Sequence, residues 1–248
     1  MIDGILLAVQ FMTRLPINKE LEFSRKNLKA TIAFFPIIGL LIGLIAGMIF
    51  KLLIPYSNLV AAGICVSAMT ALSGGLHLDG LSDTLDGFFS GRDKDRTMEI
   101  MKDSRLGTFG ALGLFMVIIL KFAFISSIGI DGWIGIPIAM SGGRLAAAWM
   151  IWRFPSARKD GLGSLFKESR PGRELLAMSL LLIILLVIIY PSGIAAYAAA
   201  IVTGQIVGLW SMKKINGLTG DVYGAGIEIS ETVSLAIFWG VMQWILYL

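Results

Sequence analysis

The chain has 248 residues, of which 56% are hydrophobic and only 15% are charged, and its mean hydropathy is +0.80. A soluble domain averages about 25% charged residues, so this composition argues against a soluble globular protein. The net charge of +4 does not indicate a nucleic-acid-binding protein, because basic residues retained on the inner side of a membrane give the same excess.

The N-terminal apolar stretch, residues 4–12, is predicted to be an interfacial or short re-entrant segment rather than a secretory signal. It follows Asp3 instead of a basic segment, and no small-residue cleavage site comes after it. We expect the segment to end at the Thr-Arg-Leu-Pro sequence of residues 13–16.

Seven later segments are long and apolar enough to cross a bilayer as helices, each near the ~20 residues that a span needs. Their predicted boundaries are 32–54, 58–76, 107–127, 133–152, 174–190, 194–211 and 229–247. The sequence therefore predicts an all-α, polytopic membrane bundle of about seven transmembrane helices. We expect residues 1–248 to form a single integral membrane domain.

The first predicted span carries a row of glycines four residues apart, Gly39, Gly43 and Gly47. Small residues at this spacing let two helix backbones approach closely within a membrane. The row therefore predicts tight packing against a neighbouring helix, and a flexible hinge is the alternative.

Basic residues alternate between the predicted connections. Eighteen of the 21 Lys and Arg lie in residues 1–31, 77–106, 153–173 and 212–228. None lies in the connections near 55–57, 128–132 and 191–193. The positive-inside rule then predicts that the N-terminus and the long connections are cytoplasmic and that the C-terminus is outside.

Two basic residues, Lys121 and Arg144, fall deep within predicted spans. A charge at that depth usually faces a polar cavity or an oppositely charged partner. The alternative is that the side chains snorkel to the interface and that the spans are misplaced by a few residues.

The strongest chemical signal is the sequence GGLHLDGLSDTLDG at residues 74–87. Asp79, Asp83 and Asp86 lie within about 60° of one another on a helix, so they form one acidic stripe. Because three carboxylates on one stripe repel, a hard cation such as Mg²⁺ is expected there. A solvated acidic helix end is the alternative, but it does not explain the stripe or the Gly-Gly entry.

His77 is the only histidine of the chain and precedes this stripe. On a continuous helix it would point away from the aspartates, which favours a structural role. If Gly74 and Gly75 unwind the chain, His77 can instead turn into the site and act in proton transfer.

A second acidic sequence, GLTGDVYGAGIEISE, occupies residues 217–231. Asp221 and Glu228 are seven residues apart, as Asp79 and Asp86 are, and each set follows a span predicted to run from outside to inside. This weak internal repeat predicts two acidic patches across one cytoplasmic cavity. Coincidence is the alternative, because few positions are shared.

Between the acidic sequences lies MKDSRLGTFG, residues 101–110. Ser104 is predicted to cap the following span, whose N-terminus attracts anions, and Arg105 can bind a phosphate bidentately. The alternative is ordinary capping beside a basic residue on the cytoplasmic side.

These three sequences resemble the cobalamin synthase family, the adenosylcobinamide-GDP ribazoletransferases. FMTRLP at 11–16 and FFPIIGLLIG at 34–43 also fit, so the resemblance covers nearly the whole chain in order. It implies an enzyme of the prokaryotic cytoplasmic membrane that joins adenosylcobinamide-GDP and α-ribazole, or its 5′-phosphate, and releases GMP. The product would be adenosylcobalamin or its 5′-phosphate, and Mg²⁺ is the expected cofactor.

Candidate roles follow from this reaction. The metal ligands are assigned to Asp79, Asp83, Asp86 and Asp221. Catalysis is assigned to Asp83, His77, Arg105, Glu228 and Glu231, and Asp221, Glu228 or Glu231 completes the metal site or serves as general base. Phosphate binding is assigned to Lys102, Ser104 and Arg105.

Two other functions compete with this one. A CDP-alcohol phosphotransferase has Asp-Gly followed shortly by Ala-Arg, whereas Leu81, Ser82 and Asp83 follow Asp79-Gly80 here. An ion-coupled transporter would use Lys121 or Arg144 to bind an anion, but its sites are expected near the membrane midplane rather than at the cytoplasmic ends. The expected partners are small-molecule substrates and the lipid bilayer, no nucleic acid is expected, and a homo-oligomer is left open.

Overall fold

The structure, a computed structural model, describes residues 2–159 and 161–246, and every regular element in these ranges is a helix. In chain order the α-helices are α1 (Ile2–Met12), α2 (Arg25–Leu53), α3 (Asn58–Ser73), α4 (Leu76–Phe89), α5 (Lys94–Ile100), α6 (Thr108–Ser127), α7 (Gly135–Arg153), α8 (Leu162–Ser169), α9 (Gly172–Ile189), α10 (Ile194–Ile215) and α11 (Gly220–Leu246).

Six of these helices, α2, α6, α7, α9, α10 and α11, are each long and apolar enough to cross a membrane. Helices α3 and α4 together are also long and apolar enough, but they meet at 89°. They give a seventh span only if this bent pair is counted as one crossing. The predicted helical bundle of a multi-pass membrane protein is therefore confirmed.

The last span is longer than the sequence predicted. Its helix, α11, begins at Gly220 rather than at residue 229, and residue 247, the predicted end, lies outside the described residues. Asp221 and Glu228 therefore belong to α11 itself, not to the connection before it. Glu228 lies about 10 Å farther along the helix axis than Asp221.

Helix α7 forms the centre of the bundle. Within an 18-residue apolar window of Asp131–Arg153, 89% of the residues are buried. The same share is only 22% for α6 and 17% for α9, which present their apolar side chains outward. The glycine row of α2 lies against α7: a Cβ at Gly39 would fall 2.3 Å from the carbonyl oxygen of Met140, and one at Gly43 would fall 2.4 Å from Cα of Pro137. The predicted close packing is confirmed.

A break at two glycines redirects the chain between α3 and α4. Gly74 and Gly75 have φ of 68° and 69°, a left-handed conformation that costs glycine little. The unwinding that the sequence left open as an alternative is thus present, although the predicted span 58–76 ran through both glycines. It carries α4 across the beginnings of α6 and α11. The approach is close, since a Cβ at Gly80 would lie 2.8 Å from the carbonyl oxygen of Asp221.

The N-terminal segment forms helix α1, whose 11 residues are about 16 Å long and too short to span a bilayer. It packs against α2, where the Thr31 hydroxyl donates to the Gly4 carbonyl at 3.0 Å. The segment ends beside Thr13 as predicted, and the next backbone N–H, of Arg14, donates to the carbonyl of Leu72.

Candidate active site

The acidic stripe of α4 faces the beginning of α11. Asp83 lies near enough to Asp79, Asp86 and Asp221 to interact with the charge of each, and Asp221 in turn interacts with Asp79. The aspartates of the two acidic sequences therefore lie together, as the weak repeat predicted for Asp221. This convergence concentrates negative charge at one end of the bundle.

Asp86 has a separate role at the beginning of α6. Its carboxylate accepts hydrogen bonds from the backbone N–H groups of Gly107 and Gly110, at 2.8 and 2.9 Å. The predicted cap by Ser104 is wrong, because the N-cap residue is Gly107. Glycine has no side-chain acceptor, so a carboxylate from α4 satisfies the free N–H groups of the first turn.

This capping also bears on the prediction that the N-terminus of α6 binds a substrate phosphate. The positive end of the α6 dipole already has a carboxylate against it, so it does not stand open for a substrate phosphate. Asp86 is consequently better explained as a structural partner of α6 than as a metal ligand.

A cavity of about 220 Å³ lies next to the acidic residues. Asp79 and Asp221 are part of its wall, and so are the aromatic rings of Phe11, Phe35 and Phe166. The two acidic sequences thus share one cavity, which combines carboxylates on one side with an apolar interior.

His77 belongs to the wall of this cavity and not to the aspartate stripe. Its side chain is 4% exposed, and its Nε2 atom has no hydrogen-bond partner among the described residues. A Cβ at Gly224 would lie 3.1 Å from the His77 carbonyl oxygen, so α4 and α11 are in close contact here.

Arg158 is a site residue that the sequence did not reveal. The backbone of Ala157 donates to the Leu218 carbonyl at 2.9 Å, and this contact brings the loop after α7 to the beginning of α11. The Arg158 guanidinium then lies 4.0 Å from the Asp221 carboxylate, to which Thr219 also donates a hydrogen bond of 3.2 Å. The positive-inside rule already accounts for a basic residue in that loop, so no sequence signal distinguished Arg158 from its neighbours.

Glu228 and Glu231 form a buried ion network instead of a metal site. The Lys121 ammonium donates to both carboxylates at 2.6 Å, and Arg144 donates to Glu231. All four side chains are at most 7% exposed. The catalytic and metal-binding roles of Glu228 and Glu231 stay predictions, and this pairing does not favour them, because both carboxylates are already neutralised by cations. The prediction that Lys121 and Arg144 face partners is confirmed.

The predicted phosphate-binding residues lie away from the cavity wall. Arg105 donates to the Asp103 carboxylate through Nε and Nη2, and its side chain is 87% exposed. These hydrogen bonds lower the pKa of Asp103 to about 2. Lys102 and Ser104 are also exposed, and none of the three residues lines the cavity beside Asp79.

No group of three or more Asp, Glu, His or Cys side chains within residues 2–159 and 161–246 is close enough to hold a metal ion. The four aspartates predicted as metal ligands therefore do not form a preformed cage around one ion. Mg²⁺, however, usually keeps several waters and takes one or two carboxylates together with substrate phosphates. Asp79 and Asp83, two mutually repelling carboxylates on one helix face, fit that requirement.

Comparison with known proteins gives a consistent result. The sequence profile of the family CobS, cobalamin-5-phosphate synthase, matches residues 4–239. The chain is 40% identical over 232 residues to the adenosylcobinamide-GDP ribazoletransferase of Roseiflexus sp. (strain RS-1), covering 92% of this chain and 86% of the relative. It is 34% identical to the protein of that name from Clostridium botulinum (strain Langeland), covering 95% and 97%, and 37% identical to that of Citrobacter koseri, covering 91% and 94%. No solved structure matches.

Proposed function

Because the chain belongs to the cobalamin-5-phosphate synthase family, we propose that it joins adenosylcobinamide-GDP to α-ribazole, or to α-ribazole 5′-phosphate, and releases GMP. The observation that carries this function beyond the family relationship is the position of Asp79 and Asp221. These carboxylates come from two distant sequences and form one side of a single cavity. Phosphoryl transfer needs groups that bind a metal ion and groups that position the reactants, held together beside a substrate pocket.

The reaction is a displacement at phosphorus. A ribose hydroxyl oxygen forms a bond to the phosphorus attached to cobinamide, and the bond from that phosphorus to the bridging oxygen breaks. The bridging oxygen leaves with GMP, and the hydroxyl proton passes to a base. The family name indicates a product that keeps a 5′-phosphate on its ribose. The 5′-oxygen of that acceptor is therefore already occupied, so the attacking hydroxyl is a different hydroxyl of the ribose.

We assign Asp79 and Asp83 to hold Mg²⁺, which would neutralise charge on the diphosphate and its leaving group. Arg158 binds a phosphate oxygen through its guanidinium, a role the sequence had given to Arg105. Asp221, oriented by the Thr219 hydroxyl, accepts the proton of the attacking hydroxyl at a carboxylate oxygen. Each of these groups is charged or polar and lies at the same end of the bundle.

The membrane orientation is part of the proposal. The beginnings of α6 and α11 and the helix α4 are at the end of the bundle that the basic connections assign to the cytoplasm. We therefore place the active site on the cytoplasmic side of the cytoplasmic membrane, with the N-terminus inside. The chain acts as one membrane domain in this account.

The ion network argues against an anion transporter. Lys121 and Arg144, the cations that would bind a transported anion, are neutralised by Glu228 and Glu231. A transported anion would have to compete with two buried carboxylates for them.

The direct test is to incubate the purified protein with adenosylcobinamide-GDP and α-ribazole and to measure GMP and the joined product. GMP release that depends on α-ribazole and stops when Mg²⁺ is chelated supports the proposal. GMP release without the joined product would show a hydrolase, and absence of both products with and without Mg²⁺ would contradict the proposed function.

A further inference from the structure

We propose that the cavity between α1, α2, α4, α7, α8 and α11 is the binding pocket for the planar, heteroaromatic base of the nucleoside acceptor. This inference rests on the proposed function, since it assigns one of the two substrates to one part of the site. The cavity wall includes Phe11, Phe35, Phe166, His77 and Tyr223, with Asp79 and Asp221 along one side.

The aromatic side of the cavity is suited to a flat apolar ring system. Phe166 contacts Phe11 and Phe35 edge to face, with ring centroids 5.1 and 5.9 Å apart. Edge-to-face clusters of this kind pack favourably around another aromatic ring. Phe35 and Phe166 are almost fully buried, so a base bound among them would be withdrawn from water.

Two residues of the wall, His77 and Tyr223, also carry buried polar atoms that lack a partner in the described part of the chain. The Tyr223 hydroxyl and the His77 Nε2 have no hydrogen-bond partner among the described residues, and both side chains are more than nine-tenths buried. A buried polar group without a partner is costly and therefore calls for an explanation. A base with a free ring nitrogen, attached to a sugar with hydroxyls, would bring hydrogen-bonding groups next to these two wall residues.

The cavity volume determines which substrate fits. The volume of the cavity, about 220 Å³, is smaller than the ~300–1,000 Å³ of pockets that enclose a whole drug-sized ligand. It can enclose a bicyclic base, but a corrinoid macrocycle with its attached nucleotide must lie outside. Because Asp79 and Asp221 are part of the same wall, a base inside the cavity would hold its sugar within reach of the carboxylates that the proposed reaction uses.

Two substitutions test this pocket. Tyr223→Phe removes only the partnerless hydroxyl and keeps the ring. Gly220→Leu adds a side chain at the cavity wall, and nothing lies within 4 Å of a Cβ at Gly220, so the new side chain meets open space. Gly240→Leu is the matched control, because it is on the same helix, also has open space around its Cβ, and lies far along the chain from the cavity.

The readouts are the Kd for α-ribazole, from calorimetry with the full-length protein in detergent micelles, and the KM for each substrate in GMP release. We expect Gly220→Leu to raise both constants for α-ribazole by at least about ten-fold, because its side chain competes with the base for the pocket. We expect Tyr223→Phe to raise them about three- to ten-fold, the effect of one lost hydrogen bond. The KM for adenosylcobinamide-GDP and all values for Gly240→Leu should remain at the wild-type level.

Wild-type values for α-ribazole in both Tyr223→Phe and Gly220→Leu, in an enzyme that releases GMP, would overturn the pocket assignment and leave the proposed function standing. An equal rise in KM for both substrates would also overturn it. A wild-type protein that binds α-ribazole in this residue-dependent way but forms no product would refute the proposed function alone.

Discussion

The Lys121 ammonium lies 2.6 Å from the Glu228 carboxylate inside the helix bundle, where the two side chains are only 6% and 7% exposed. The pair belongs to a network whose formal charges cancel, because Arg144 and Glu231 complete it. The sequence placed Lys121 and Arg144 inside apolar segments but did not show which acidic residues would be their partners.

The first prediction concerns this network. Lys121→Met leaves two buried carboxylates facing one arginine, and we expect it to reduce the free energy of unfolding by about 3–5 kcal/mol. The double variant Lys121→Met/Glu228→Gln restores charge balance and should regain part of this loss. Thermal unfolding in detergent micelles, read as a double-mutant cycle, measures the coupling. Strictly additive losses would contradict the network.

A second prediction separates capping from metal binding at Asp86. Asp86→Ala removes the acceptor of two backbone hydrogen bonds and should cost about 1–2 kcal/mol of stability. Asp86→Asn retains one acceptor oxygen and should be milder. Because the carboxylate is not assigned to Mg²⁺, both variants should keep the wild-type Mg²⁺ concentration for half-maximal GMP release. A shift in that concentration as large as the one caused by Asp83→Asn would show that Asp86 is a ligand after all.

The third prediction concerns the contact between α2 and α7. Gly39→Ala places a Cβ 2.3 Å from the Met140 carbonyl oxygen, a backbone atom that cannot move aside cheaply. We expect a loss of about 1–3 kcal/mol from overpacking, measured as a lower Tm. Gly240→Ala, with open space around its Cβ, is the control and should leave Tm unchanged or slightly raised. Equal Tm values for the two variants would contradict the close contact.

The fourth prediction compares the kinetic effects of substituting Arg158 and the next residue in the chain, Lys159. If its guanidinium holds a phosphate of the donor, Arg158→Gln should raise the KM for adenosylcobinamide-GDP about ten-fold or more while leaving the KM for α-ribazole near its wild-type value. Lys159→Gln removes the adjacent positive charge and should have little effect. Indistinguishable kinetics for the two variants would remove Arg158 from the site.

Much of the fold follows directly from local sequence patterns. Apolar runs of span length, basic connections and the Gly39, Gly43 and Gly47 row each depend on nearby residues, and the structure has the corresponding helices and the close contact. The unwinding at Gly74 and Gly75 was only an alternative at the level of the sequence, because adjacent glycines permit a break without requiring one, and the predicted span 58–76 ran through them.

The candidate site was less predictable, because its partners are distant in sequence. Asp86 caps a helix that begins 22 residues later, at Thr108, and an acidic stripe looks the same whether it binds a metal or backbone N–H groups. The beginning of α11 was placed too late, because Gly220 and Asp221 read as the end of a polar connection. As a result Glu228 was assigned to the site, although it lies inside a buried helix beside Lys121.

In the proposed mechanism, Asp79 and Asp83 hold the divalent cation of a ribazoletransferase. The most direct test is a Mg²⁺ titration of GMP release by the wild type, by Asp83→Asn, and by Asp95→Asn, a control at an exposed residue of α5. We expect folded Asp83→Asn to need at least about ten-fold more Mg²⁺ for half-maximal release, or to lose activity at every concentration, while Asp95→Asn matches the wild type. A folded Asp83→Asn protein with the wild-type rate and the wild-type Mg²⁺ requirement would contradict the claim.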